Sequence, residues 1–481
     1  MQKIAQLDHQ HVWHPFTQMK DWLRNEPIVI SRGKGAALWD TRGRKYLDAN
    51  SSIWTNLHGH QQPKINRAIS SQLRKIAHSS ALGLANEPAS LLAGRLVAAG
   101  RRRAGERNSL NKVFFSDDGS TAMEVALKLS YEFWRRSGVP KPRFLSLQGA
   151  YHGDTVGAVS LGHINLFHKA FSGLLFKAES APAPYCYRCP HNKARPERAD
   201  ARTYRKCKFE CVDAVEQKFV EANRAGHRFT GFVTEPLMQG AAGMIAQPEG
   251  WLGRVSDIAR NYRAHLIMDE VMTGFGRVTD PKRGIFAFQQ ERVTPDFIAL
   301  AKGLTGGYLP MAATLTTNSV FDAFLGEYQD FKTFFHGHSY TGNQLGAAAA
   351  LASLDLLESA ESRLRRSQLA SEFETALSRL WVHPQVGDIR RVGLVAGIEL
   401  VRDWTTREPF ALEERAGIRV CEAMSKRGVL TRPIGNVIVL MPPYCTSRRQ
   451  LDTMVDALAR ALLEVFPETT SSGRGQPSAT G

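Results

Sequence analysis

Two short apolar runs, each ending in a single charged residue, constrain this chain more than any other feature. Ala264-His265-Leu266-Ile267-Met268-Asp269-Glu270-Val271 stops at a carboxylate. Thirty-three residues later, Asp296-Phe297-Ile298-Ala299-Leu300-Ala301-Lys302 stops at a lysine, followed by the turn Gly303-Leu304-Thr305-Gly306-Gly307. Apolar runs of this length, bounded by turn signals, read as buried strands. In an open α/β sheet, ligands bind at the carboxyl ends of strands. A lysine placed there, once desolvated, can attack a carbonyl. A carboxylate beside it can partner the protonated ring nitrogen of pyridoxal phosphate. Either residue alone also fits an ordinary solvated strand end or a helix cap.

A third element supplies a place for a phosphate. In Lys112-Val113-Phe114-Phe115-Ser116-Asp117-Asp118-Gly119-Ser120-Thr121-Ala122-Met123-Glu124, residues Val113 to Phe115 read as a strand. A helix then runs to about Trp134, with Val125, Leu129 and Phe133 on its apolar face. Thr121 and Glu124 have capping-box spacing, which predicts the helix start. Free N–H groups and the macrodipole make such a helix start an anion site. Gly119 permits close backbone approach there, and Ser120 adds a hydroxyl donor.

Around these elements, residues 1–60 read as an N-terminal arm that packs with the small domain and carries a hairpin at Ala36 to Asp48. Residues 61–332 alternate strand and helix patterns, as a large domain built on a mostly parallel sheet requires. Residues 333–465, including an alanine-rich helix from Leu345 to Leu357, form a small α+β domain, and 466–481 read as a disordered tail. The 481 residues carry a net charge of +16. The basic residues are scattered, with clusters only at Arg101-Arg102-Arg103 and between Arg195 and Lys208, so nucleic-acid binding is not expected. No apolar stretch reaches the roughly 20 residues that span a bilayer. The first residues lack a signal peptide's apolar core, so a cytoplasmic protein is expected. Cys186-x2-Cys189 and Cys207-x3-Cys211 approach zinc-ligand spacing. Pro190 and the 17-residue gap between the pairs fit no standard finger, however, and no metal is assigned.

Leu266-Ile267-Met268-Asp269-Glu270-Val271-Met272-Thr273-Gly274-Phe275-Gly276-Arg277, with the Lys302 segment after it, resembles the signature of class III aminotransferases. Gly149-Ala150-Tyr151-His152-Gly153-Asp154-Thr155 resembles that family's cofactor-covering loop. Phe335-His336-Gly337-His338-Ser339-Tyr340-Thr341-Gly342-Asn343 resembles the loop that reaches a neighbouring subunit's cofactor phosphate. The resemblance runs from about His11 to about Val465. Within the family, His11 to Lys20, Ser51 to His60 and Leu430 to Gly435 resemble the branch that converts 8-amino-7-oxononanoate to 7,8-diaminononanoate on the biotin pathway. Another class III ω-amino acid or diamine aminotransferase is the alternative.

The resemblance implies the aspartate-aminotransferase fold (fold type I of pyridoxal-phosphate enzymes). It also implies a homodimer with shared active sites, small-molecule substrates and pyridoxal 5'-phosphate as cofactor. By position, Lys302 would bond to the cofactor and shuttle the proton. Asp269 would hold the ring nitrogen, and Tyr151 and Val271 would cover the two ring faces. Gly119 and Ser120 would hold the phosphate, joined by His338 and Ser339 from the second subunit, and Glu235 would lie near the cofactor. Phe16, Trp54, Arg277, Gly337 and Arg432 would meet the substrate, with Arg432 reading its distant carboxylate through a bidentate fork. Many members have Tyr at Phe16, a second aromatic at Ile53 and Pro at His338. These departures resemble the sub-branch that takes its amino group from L-lysine rather than S-adenosylmethionine.

Overall fold

Seven strands form the central sheet: β1 (Leu110–Ser116), β2 (Arg143–Leu147), β3 (Glu179–Ala181), β4 (Phe229–Thr234), β5 (His265–Asp269), β6 (Phe297–Leu300) and β7 (Ala312–Thr317). They lie in the order β1-β7-β6-β5-β4-β2-β3. Neighbours from β6 through to β3 run parallel, whereas β7 is antiparallel to both β6 and β1. Every residue of β4, β5, β6 and β7 is buried. A strand covered by helices on both faces has no wet side, which is why its sequence runs apolar rather than alternating. The structure, a computed structural model, describes residues 2–101 and 110–467. Arg102, Arg103 and the expected tail from 468 onward lie outside those residues.

Helix α1 (Gly119–Arg136) follows β1 and buries Ala122, Met123, Val125, Ala126 and Leu129. Its start corrects the sequence expectation. Asp118 is the N-cap, and the capping box joins Asp118 to Thr121: each side chain accepts from the other's backbone N–H. Glu124 is occupied elsewhere. It accepts from the Thr155 hydroxyl at 2.5 Å and from the Ala158 N–H at 3.1 Å, tying the covering loop to the helix.

Helices α2 (Gln344–Glu358) and α3 (Ala360–Ser378) lead to a second, antiparallel sheet. It contains β8 (Val386–Val392), β9 (Val395–Asp403), β10 (Pro433–Ile434) and β11 (Val437–Leu440) in the order β8-β9-β11-β10, with Glu408–Pro409 on β9. Near the N-terminus, Ile30–Lys34, Ala37–Asp40 and Lys45–Asp48 form an antiparallel meander. Its last strand pairs in parallel with Val429–Leu430, so the two ends of the chain share one sheet.

Candidate active site

β5 and β6 are adjacent and parallel, with Asp269 opposite Ala299 in register. Asp269 and Lys302 therefore emerge together at the carboxyl edge of the sheet. Both line one cavity of about 440 Å³, with Trp54, Asp117, Gly119, Ser120, Tyr151, His152, Glu235, Val271 and Met272 among its walls. Burial pushes the Lys302 amine below its usual range, while the charges of Asp269 and Glu235 pull it back up. Lys302 also has a backbone φ of 38°, the left-handed region, so the sheet ends abruptly in a strained residue. Its Nζ sits 4.6 Å from the centre of the Trp54 ring. Burial and the nearby Asp269 charge push the Glu235 carboxyl up to about 7. Glu235 Oε2 accepts from Gly240 N–H at 2.8 Å, and its Oε1 is buried without a hydrogen-bond partner.

The opposite end of the cavity is the first turn of α1. The Asp154 N–H donates to Ser120 Oγ at 3.0 Å, which leaves the serine proton free to donate. Two glycines make this turn possible. A Cβ on Gly119 would stand 2.7 Å from Val271 Cγ1, and one on Gly153 would stand 2.1 Å from Ser120 Oγ. Tyr151 donates to Asp154 at 2.6 Å, and burial, reinforced by that carboxylate, raises its phenol well above the usual range.

His152 is a residue that sequence reasoning quoted but did not select. Its Nδ1 lies 2.8 Å from Asp269 Oδ2, and both side chains are buried. Asp269 Oδ1 accepts from Val271 N–H at 3.0 Å. The partner stands 117 residues away in sequence, and no spacing signal links the two.

These residues fit pyridoxal phosphate. An amine, a fixed carboxylate and a donor-rich helix start face one cavity, and Glu235 Oε1, His152 Nε2 and Trp54 Nε1 are buried without partners. The phosphate end presents N–H and O–H donors. Lys302 is the one cation among the lining residues.

Other predicted residues lie apart from this lining. Arg277 is fully buried and donates to the carbonyls of Pro442 at 3.1 Å and Asn56 at 2.8 Å, with Tyr444 under its guanidinium. Arg432 is exposed on the turn before β10. Phe16 is 60% exposed, with its ring edge-on to Tyr151 at 6.4 Å. Gly337 and Ser339 are exposed, and half-buried His338 stands 3.4 Å from Asp117. The Ser339 carbonyl is hydrogen-bonded to the His78 ring at 2.7 Å.

Cys186, Cys189, Cys207 and Cys211 are free thiols, and their loop is stapled by Asn192, which bonds to the backbones of Cys186, Ala194 and Lys206. Among the described residues, no group of three or more His, Cys, Asp or Glu is arranged to hold a metal ion.

The cavity approach is shaped by one unusual turn. Ser51, Ser52, Ile53 and Trp54 all have positive φ, from 47° to 71°, and none is glycine. Each such residue costs roughly 1–2 kcal/mol. Asp48 holds the turn by accepting from Ser52 N–H at 2.9 Å and from Ser52 Oγ at 2.8 Å, and it pairs with His60 Nε2 at 3.0 Å.

Comparison with known proteins agrees with this geometry. The profile of the family Aminotransferase class-III matches residues 19–462. The chain is 47% identical over 462 residues to the adenosylmethionine-8-amino-7-oxononanoate aminotransferase of Geobacter sulfurreducens, covering 96% of this chain and 97% of that one. It is 42% identical to the protein of the same name from Aquifex aeolicus, covering 97% and 98%. Among solved structures, the enzyme of that name from Methanocaldococcus jannaschii superposes with a TM-score of 0.86 at 38% identity, covering 96% and 99%. An ω-transaminase from Pseudomonas jessenii in complex with PMP gives 0.86 at 26% identity, covering 96% and 98%.

Proposed function

The chain belongs to the class III aminotransferases, which depend on pyridoxal phosphate, and from that premise we propose that it converts 8-amino-7-oxononanoate to 7,8-diaminononanoate for biotin synthesis, with L-lysine as amino donor. The observation that carries the chemistry is Lys302 and Asp269 facing one cavity from adjacent strand ends. The substrate is supported by near-full-length likeness to relatives named for it. Lysine as donor is supported by Phe16, which brings no hydroxyl to the rim beside Tyr151. No helix among the described residues is long and apolar enough to cross a membrane; a cytoplasmic setting is part of the proposal.

The bound cofactor supplies an aldehyde that takes up amines and a protonated ring that draws electrons from the substrate carbon. Lys302 removes and returns the proton at that carbon, and burial, by favouring its neutral amine, suits it to the task. Asp269 would hold the ring nitrogen protonated, and His152 fixes the Asp269 carboxylate in orientation. Gly119, Ser120 and the α1 N–H groups would hold the phosphate, and Val271 and Tyr151, which line the same cavity, would cover the ring. Glu235 borders the amine end, and Trp54 walls the channel. Phe16 and Gly337 line its mouth, and Arg432 reads the substrate's far carboxylate. Arg277, committed to two carbonyls, supports the channel from behind. A second copy covers the site and brings His338 and Ser339 to the phosphate. Exposed Leu82, Tyr328 and Phe335 support such an apolar interface.

The test is turnover of the keto acid with L-lysine, S-adenosylmethionine and glutamate in parallel. Lysine is expected to lead, and Phe16→Tyr to move the preference towards S-adenosylmethionine. Absence of turnover with every donor would reject the substrate, and S-adenosylmethionine leading in the unaltered enzyme would reject the donor.

A further inference from the structure

The left-handed turn at Ser51–Trp54 is a local structure that its own sequence does not favour. Four successive L-residues with side chains occupy the region that glycine normally fills. Something outside the turn must hold it, and the contacts are specific. Asp48 is buried and takes both polar protons of Ser52 while pairing with His60. His60 Nδ1 is 3.0 Å from Asn56 Nδ2, and Asn56 Oδ1 accepts from Gly59 N–H at 2.8 Å, which closes the loop behind the turn. Ser51 Oγ donates to the Met441 carbonyl at 2.6 Å. The turn delivers Trp54 to the wall opposite Lys302. Gly240 leaves room for the indole, since a Cβ there would stand 3.2 Å from the Trp54 ring and 3.4 Å from Glu235 Oε2.

The same short segment also pairs with a strand from the C-terminal part of the chain. Asp48 pairs in register with Leu430, and the Ala49 N–H donates to the Leu430 carbonyl at 3.0 Å. Two residues after Leu430 comes Arg432. This backbone pairing ties the strand just before Arg432 to the segment that leads into the Trp54 turn.

We propose that Asp48 is a positioning residue: with His60 it holds the Ser51–Trp54 turn in its left-handed form and so fixes the Trp54 wall against Lys302. The effect on turnover rests on the function proposed above; the clamp itself does not. Asp48 is not among the residues that line the cavity. Asparagine in its place keeps the size but gives up one of the two carboxylate oxygens that accept from Ser52 and His60.

Hydrogen–deuterium exchange on the cofactor-free protein reads the clamp directly. In Asp48→Asn, the amides of residues 52–56 are expected to exchange about 10-fold faster, with β5 unchanged. In the loaded enzyme, kcat/KM for the keto acid is expected to fall on the order of 10–100-fold, chiefly through KM. Adding Ser52→Gly to that variant should restore most of both losses, because glycine adopts positive φ without the clamp. A merely structural aspartate would not be rescued by that change. If Asp48→Asn does not fold, Ser52→Ala keeps the Asp48–His60 pair and should show a smaller rise in exchange at the same amides. Unchanged exchange in the foldable variant, or faster exchange that glycine does not reverse, would overturn the proposal. If the keto acid proves not to be the substrate, the exchange result still stands and decides the clamp alone.

Discussion

The sheet side and the arm side of the cavity are built by opposite means. Lys302 and Asp269 stand at the ends of strands whose every residue is buried and whose backbones are paired on both edges. Phe16, Trp54 and the loop 335–343 stand on exposed or strained chain held by a few side-chain hydrogen bonds. On the sheet side, the hydrophobic core positions the reacting groups, and precision there follows from folding itself. On the arm side, a few hydrogen bonds set the shape of the channel. The division predicts that sheet-side changes destroy chemistry, whereas arm-side changes alter which molecule is processed.

The sharpest break is Lys302→Ala. It removes the amine that must bond to the cofactor and carry the proton, and activity is expected to drop by roughly 10⁴-fold or more. Borohydride treatment of the unaltered enzyme should fix cofactor mass on a peptide containing Lys302, and none in the variant. Residual turnover near that of the unaltered enzyme would mean the sheet side is not where the chemistry lies. Asp269→Asn comes next. It keeps the hydrogen bond to Val271 N–H but surrenders the charge, and kcat is expected to fall on the order of 10²–10³-fold with little change in melting temperature. Stopped-flow single turnovers would separate this loss from slow product release.

How much of this was legible in the sequence follows the same division. Lys302 and Asp269 could be read because each closes a continuous apolar run that marks a buried strand, and the two together with a nearby helix start said more than either alone. The mostly parallel sheet was legible for the same reason. The helix start was read in the right place with the wrong cap: spacing marked Thr121 and Glu124, but Thr121 turns back to Asp118 while Glu124 serves the covering loop. Local pattern cannot tell which distant group will claim a carboxylate. His152 was quoted but not chosen, because its role comes from a contact 117 residues away. The turn at Ser51–Trp54 was opaque, since a left-handed run without glycine is contrary to propensity and its contacts to Asp48 and Met441 leave no local pattern. Arg277 was singled out by its motif as a substrate cation, yet its guanidinium is spent on the carbonyls of Pro442 and Asn56.

Arg432→Ala tests the arm side. Removal of a bidentate carboxylate reader should raise KM for the keto acid about 100-fold and change kcat far less. The half-reaction with the amino donor, followed by absorbance without keto acid, should stay within about 3-fold. If kcat collapsed with KM unchanged, Arg432 would belong with the sheet-side group.

Glu235 lies where the two sides meet, and its titration gives the smallest expected effect. Burial, then the Asp269 charge, push its carboxyl from the ordinary 4.5 up to about 7. Below about 4.5 it is protonated in both the folded and unfolded chains, so whatever it contributes to stability is fully present. As pH rises towards 7, the unfolded chain releases the proton while the folded chain retains it. Stability is therefore lost across that window, and the loss is complete once the folded carboxyl ionises. Glu235→Gln has no proton to lose. Melting temperature of the cofactor-free protein, measured at pH 5, 6, 7 and 8, should fall with a shallower slope in the variant, by about 1–2 °C per pH unit between pH 5 and 7. Equal slopes would mean that Glu235 is ionised throughout this range, beside Asp269. Two adjacent negative charges would then hold Lys302 in its ammonium form, which contradicts a neutral amine ready to accept a proton.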